Sequence, residues 1–136
     1  MRSVVFDNEA VQALAAPGHA KHRAVLAHLE AVVSRRRRGR LVEAVVPTTV
    51  RVEAAYDRSA ADAAAINRFR LRDHALDTAT ADAAASIQGR TGAGPADAHL
   101  GAAVRSLTSD EVVVLTSDPA DVAAVCWPVP VNIVLV

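Results

Sequence analysis

Glu111-Val112-Val113-Val114-Leu115-Thr116-Ser117-Asp118 decides the fold. Its apolar run is almost wholly β-branched and shows no alternation with polar residues, so both faces must be covered, as in a buried strand of a parallel sheet. The run then leaves through Thr116-Ser117 into Asp118-Pro119 and a short helix, so the strand ends in an acid. Ser3-Val4-Val5-Phe6 repeats the arrangement near the start of the chain: a strand-length apolar run closes on Asp7, and a helical pattern follows through Val11 and Leu14.

Between these two strands the pattern alternates. Pro17-Gly18 breaks the chain, and Ala20 to about Ser34 carries apolar residues at helical spacing through Val25, Leu26, Leu29, Val32 and Val33. That helix runs into Arg35-Arg36-Arg37-Arg38-Gly39-Arg40, cations and a glycine that form a normal stop signal. Leu41 to Val46 reads as a second strand closed by Pro47. Thr48 or Thr49 then caps a helix carrying Val50, Glu53, Ala54 and Asp57. Ser59 opens a further helix through Ala63, Ile66, Asn67 and Phe69-Arg70, followed by a brief extended piece around Ala75-Leu76. Asp77 or Thr78 starts an Ala-rich helix that ends near Gly89 to Gly94. Pro95 suits a helix first turn and sets Asp97 near the start of a helix through Leu100, Ala103, Val104 and Leu107. Val129 to Val136, interrupted by Pro130, suits an edge or closing strand. Strands alternating with helices, two of the strands fully apolar, predict one α/β domain over residues 1–136, a mostly parallel sheet with helices on both faces. Ligands bind such sheets at the strand C-terminal ends.

Composition narrows the function. Of the 136 residues 51% are apolar, which argues for a folded chain, and no run reaches the ~18 residues of a membrane span. The chain enters its first strand without a long apolar leader, so a cytoplasmic location is expected. Fifteen basic and fifteen acidic side chains cancel, so any attraction for nucleic acid must be local. Aromatic residues are 3% of the chain, too few for a base-stacking platform, which speaks against a plain single-strand-binding module. Cys126 stands alone and reads as a core residue.

Asp7 and Asp118 follow strand ends, while Glu53 and Asp97 fall early in helices that begin on the same edge of the sheet. Carboxylates packed together repel and raise one another's pKa values, so such a cluster usually exists to hold a divalent cation. Oxygen-only ligands favour Mg²⁺ or Mn²⁺, which can activate water against a phosphodiester without a cysteine, serine or histidine nucleophile. The plain alternative makes Asp7 and Asp118 helix caps and Glu53 a solvated helix residue.

The series Val4-Val5-Phe6-Asp7, Pro47-Thr48-Thr49-Val50-Arg51-Val52-Glu53, Pro95-Ala96-Asp97-Ala98-His99-Leu100 and Leu115-Thr116-Ser117-Asp118-Pro119-Ala120-Asp121-Val122 resembles the PIN-domain family, and most closely its VapC-type toxins. The resemblance spans essentially the whole chain. It implies a five-stranded sheet ordered 3-2-1-4-5 and a ribonuclease using one or two Mg²⁺ or Mn²⁺ ions. Asp7, Glu53 and Asp97 would be its primary acids, Asp118 a fourth and more variable one, and Thr116 a polar neighbour of the metal. It further implies a homodimer silenced by a small VapB-like antitoxin whose C-terminal segment inserts a cation into the acidic pocket. One departure follows the first strand, where Asn8-Glu9 replaces the small or hydroxyl residues often found there. Glu9 is read as helix first-turn charge.

Other constellations carry less. His19 and His22 read as exposed polar residues with no further ligand to complete a zinc set. His99, about 200° around its helix from Asp97, should point away from a metal, and His28 and His74 have no recognisable partners. The arginine run is read as a solvated helix end or a phosphate attractor. Arg51, Arg58, Arg68, Arg70 and Arg72 could grip RNA or a partner. The Gly89 to Gly94 stretch lacks the context of a nucleotide loop. A receiver domain or haloacid-dehalogenase-type phosphatase needs a lysine after the last strand, and the only lysine is Lys21. The remaining rivals are a PIN-like module without catalysis and a housekeeping RNA-processing nuclease.

Overall fold

The structure is a computed structural model that describes residues 1–136. Its elements are β1 (Arg2–Phe6), α1 (Asn8–Ala15), α2 (His22–Arg37), β2 (Val42–Pro47), α3 (Thr48–Glu53), α4 (Ala64–Asn67) after a 3₁₀ turn at Ala61–Ala63, β3 (Arg72–His74), α5 (Thr78–Thr91), α6 (Pro95–Ser106), β4 (Glu111–Thr116), α7 (Pro119–Cys126) and β5 (Asn132–Leu135). The five strands form one sheet in the order β3-β2-β1-β4-β5, and every pairing is parallel. This is the α/β architecture and strand order expected above. Register sets Val4 against Ala44 on one side and against Val113 on the other.

Alternation along β1 divides the core into two layers. Val4 and Phe6 face the side covered by α1, α2, α3 and α4, where they meet Val11, Val25, Leu29, Val50 and Ile66. Val5 faces the other side, with Ile87, Leu100, Val104, Val114 and Val125 from α5, α6, β4 and α7. Each such Val, Leu or Ile contributes roughly 1.5–3 kcal/mol by leaving water. Cys126 is fully buried in the second layer, as expected. No helix is long and apolar enough to cross a membrane.

Several boundaries differ from the sequence reading. The helix expected to end near Ser34 continues through Arg37, because Arg36 folds back to donate to the carbonyls of Val42 (3.0 Å) and Phe69 (3.1 Å). The helix expected from Ser59 shrinks to a 3₁₀ turn and the single turn of α4. Asp57 holds Ser59 in a local turn, and Arg70 adopts φ +53°, where a helix cannot continue. The extended piece lies at Arg72–His74, earlier than Ala75-Leu76. Three polar residues make this edge strand because each finds a partner: Arg72 meets Glu43, Asp73 meets Arg51 and Arg58, and His74 meets His99.

Candidate functional site

Parallel neighbours β1 and β4 end together. Phe6 pairs with Leu115, and the Asp7 amide extends the ladder by donating to the Leu115 carbonyl at 3.1 Å. Asp7 is buried at 6% exposure. Its Oδ1 accepts from the Asn8 amide (2.8 Å), capping α1, and its Oδ2 accepts from the Thr116 hydroxyl (2.7 Å). Thr116 Oγ1, fully buried, also accepts the Asp118 amide at 3.0 Å. Thr116 therefore fixes the Asp7 carboxylate and the turn into α7 with one hydroxyl. Asp118 stands at the N-cap of α7, yet its side chain caps nothing. Asp7 is thus a cap and more, while the capping explanation fails for Asp118.

Asp97 lies in the first turn of α6, started by Pro95, and is half-buried. Burial, then the charges of Asp7, Glu53, Asp121 and Asp118, push its carboxyl up from the usual 3.8 to about 6. Asp7, Glu53, Asp118 and Asp121 are thus the four acids near enough to act on Asp97. Glu53 reaches the group from a different position than expected: it is the last residue of the short α3, not an early one, and is exposed. Asp121 is a fifth acid to which the sequence reading assigns no role. Its signal was legible, since it lies three residues after Asp118 and so on the neighbouring turn of the same helix face.

None of Asp7, Glu53, Asp97, Asp118 and Asp121 takes part in an ion pair. Glu9, by contrast, pairs with Lys21 (3.3 Å) and His19 (3.4 Å), which bears out its reading as first-turn charge. The donor chemistry of the five acids suits a hard divalent cation. Their geometry is open: no three His, Cys, Asp or Glu side chains are drawn together into a cation cage. Asp97 and Asp121 share the wall of a cleft of about 250 Å³ between α7 and the 91–94 loop. A larger groove of about 710 Å³ between α1, α2 and α4 contains none of these acids. Where chemistry and size disagree, the uncompensated charge marks the candidate site.

Gly101 brings α6 and α7 together. A Cβ there would stand 2.9 Å from the Val125 carbonyl carbon and closer still to its oxygen, so only glycine lets the Asp97 helix pack against the Asp121 helix.

The histidines are engaged differently from the sequence reading. His74, thought partnerless, faces His99, Nδ1 to Nε2 at 3.2 Å. His99 Nδ1 meets the Thr49 hydroxyl at 2.7 Å, and His74 Nε2 meets the Ser106 hydroxyl at 2.7 Å. Ser106 spends its one proton on the Ala103 carbonyl (2.8 Å), so it must accept from His74. The proton order follows from end to end: Thr49 donates to His99, His99 to His74 and His74 to Ser106. Burial, then the neighbouring His74, pushes fully buried His99 down to about 4. Burial, then Arg72, lowers His74, so both rings are neutral. His99 bonds none of the acids, as its angular position implied. His19 and His22 are half-buried rather than exposed, with His22 Nδ1 against the Ala13 carbonyl at 2.8 Å.

The arginines expected to flank the site are mostly engaged elsewhere. Arg51 and Arg58 both hold Asp73 and stack on Tyr56, and Arg72 holds Glu43. Compared with models of known protein families and with curated proteins, the chain matches none.

Proposed function

We propose that this protein is a metal-dependent endoribonuclease of the PIN type, acting as the toxin of a type II toxin-antitoxin pair. The observation that carries the reading is the group of five carboxylates without a cationic partner at the strand C-termini, with Asp97 titrating near 6. Asp7, Glu53, Asp97 and Asp118 would hold Mg²⁺ or Mn²⁺. A bound ion of this kind supplies an activated water and neutralises charge developing on a phosphodiester. Thr116 and the Asn8 amide fix the Asp7 carboxylate, one hydrogen bond to each oxygen, as a supporting shell would for a metal ligand. Asp97 keeps a proton below about pH 6, so cation binding and cleavage rise with pH through that value.

The toxin assignment rests on the sequence resemblance, which also supplies RNA as substrate, a VapB-like antitoxin and a second copy of the chain as partners, and a cytoplasmic setting. A second reading, a PIN-like regulatory module without catalysis, is favoured by the absence of a closed cation cage. A housekeeping RNA-processing nuclease uses the same acids and differs only in partner.

Asp97→Asn decides between catalysis and a silent module. The purified variant keeps its circular dichroism spectrum and loses Mg²⁺-dependent cleavage of total RNA by about 100-fold or more, the scale on which one preorganised electrostatic group acts. Unchanged cleavage sinks the assignment. Growth arrest on expression, relieved by the product of a neighbouring reading frame, separates toxin from processing enzyme.

A further inference from the structure

The acids gather near the start of α7, and a second feature marks its end. Trp127, the only tryptophan of the chain, follows α7 directly and is 63% exposed. The Arg90 guanidinium lies 5.3 Å from the centroid of its ring. Arg90 and Arg105 converge on the Trp127 carbonyl at 3.3 and 2.7 Å, and Arg90 also donates to the Ala124 carbonyl at 3.2 Å. Both arginines are exposed, and neither meets a carboxylate. In a chain of zero net charge, two uncompensated cations fixed around a solvent-facing indole form a local positive site with an aromatic face.

This site is continuous with the acids. Trp127 lies six helical steps beyond Asp121, about 9 Å along the axis. Ala124 and Val125, between them, line the cleft whose wall includes Asp97 and Asp121. The opposite wall is the 91–94 loop, where Gly92 and Gly94 leave open space at the position of a side chain. A strand can therefore run from the acids along α7 to the indole.

We propose that Trp127, with Arg90 and Arg105, is a base-stacking subsite that anchors one nucleotide of a single-stranded RNA whose neighbouring phosphodiester lies at the acids; this deepens, and rests on, the ribonuclease reading above. An unpaired base offers the indole its flat face, whereas a duplex hides its base faces within the stack. The arginines meet the flanking phosphates, and the guanidinium over the ring rigidifies it for stacking. A single tryptophan makes an anchor at one nucleotide, not a platform along the strand. The substrate class is RNA unpaired at and beside the cleavage position.

Because Trp127 is the only tryptophan, its emission reports this subsite alone. The full-length protein is titrated in EDTA with a short mixed-sequence single-stranded oligoribonucleotide, its blunt duplex, and mononucleotides, and binding is followed in parallel by anisotropy of the labelled strand. The single strand quenches Trp127 emission with the same midpoint as the anisotropy change, and the duplex leaves the emission unchanged. Trp127→Ala weakens single-strand binding by about 5- to 150-fold, the range spanned by loss of one base–aromatic stack, and Trp127→Phe restores most of it. Binding of the strand without a change in emission, or Trp127→Ala with unaltered affinity, overturns the proposal. So does an emission change that follows protein concentration instead of RNA, which would make the patch a protein contact. Mg²⁺-dependent cleavage separates the two failures. Cleavage with a silent Trp127 defeats the subsite alone, while quenching by a strand that is never cut defeats the ribonuclease reading and leaves the indole an RNA contact.

Discussion

The two ends of one sheet treat their acids in opposite ways. At the end where β1, β2 and β4 begin, every acid has a cation: Glu111 pairs with Arg2 at 2.6 Å, Glu43 with Arg72 at 2.9 Å, and Asp110 with the N-terminal amine at 2.7 Å. At the end where β1 and β4 finish, five acids have none. The pKa values follow. Burial pushes Glu43 upward, but hydrogen bonds from Arg72 and Ser3 outweigh it and leave it below the usual carboxylate range. At Asp97 burial and the neighbouring carboxylates act in the same direction. The difference teaches that the strand starts stabilise the fold through paired charge, whereas the strand ends carry unpaired charge that costs stability.

Four substitutions sharpen or break that contrast. The largest loss of stability is expected at Gly101, where Gly101→Ala forces α6 from α7 and costs about 3 kcal/mol, read from the urea midpoint. An unchanged midpoint would mean that the two helices are not held at the spacing described. Thr116→Val comes next, since it removes the buried donor to Asp7 and the acceptor for the Asp118 amide. The expected cost is about 2 kcal/mol, and Thr116→Ser recovers most of it.

Asp97→Asn has the opposite sign. The folded-state pKa of Asp97 is raised, so the wild type is penalised once the pH exceeds about 6 and unpenalised below the ordinary 3.8. The variant is therefore more stable than the wild type by about 1 kcal/mol at pH 7.5, after allowance for solvent screening, and the gain vanishes on acidification to pH 3.8. Added Mg²⁺ reverses the order by stabilising only the wild type. The smallest effect is expected at the paired end. Arg72→Ala, with a side chain 48% exposed, costs about 0.5 kcal/mol at neutral pH, and this cost also fades as Glu43 protonates on acidification.

The sheet and the acids were unequally legible. Val112 to Leu115 and Val4 to Phe6 announce their strands because a strand covered on both faces needs apolar residues throughout, and Pro95 and Asp77 mark helix starts by local chemistry alone. The strand order came from the family resemblance. β3 was displaced because Arg72, Asp73 and His74 carry no apolar period; their strand exists through partners on β2, α3 and α6 that periodicity cannot show. Glu53 closes a helix that stops after six residues, because Ala55 takes φ +53°, a conformation no apolar period announces. Asp7, Asp97 and Asp118 were found because each follows a strand end or a helix start. Asp121 has no role in the sequence reading, although it stands in the first turn of α7 two residues after Pro119, as Asp97 stands two residues after Pro95. Thr116 was named only as a polar neighbour, and the structure makes it the hub between two acids.

The row of hydroxyls and imidazoles from Thr49 to Ser106 has a polarity, like a file of magnets laid head to tail. Every link has one donor, and Ser106 is anchored by its proton on Ala103. Protonating His74 would set its new N–H against the N–H of His99. His99 would then have to exchange tautomer and turn the Thr49 hydroxyl away, so no link can reverse alone. Thr49 belongs to the Glu53 helix and His99 to the Asp97 helix. The row therefore ties the two acid-bearing helices together through a chain whose polarity reverses only as a whole.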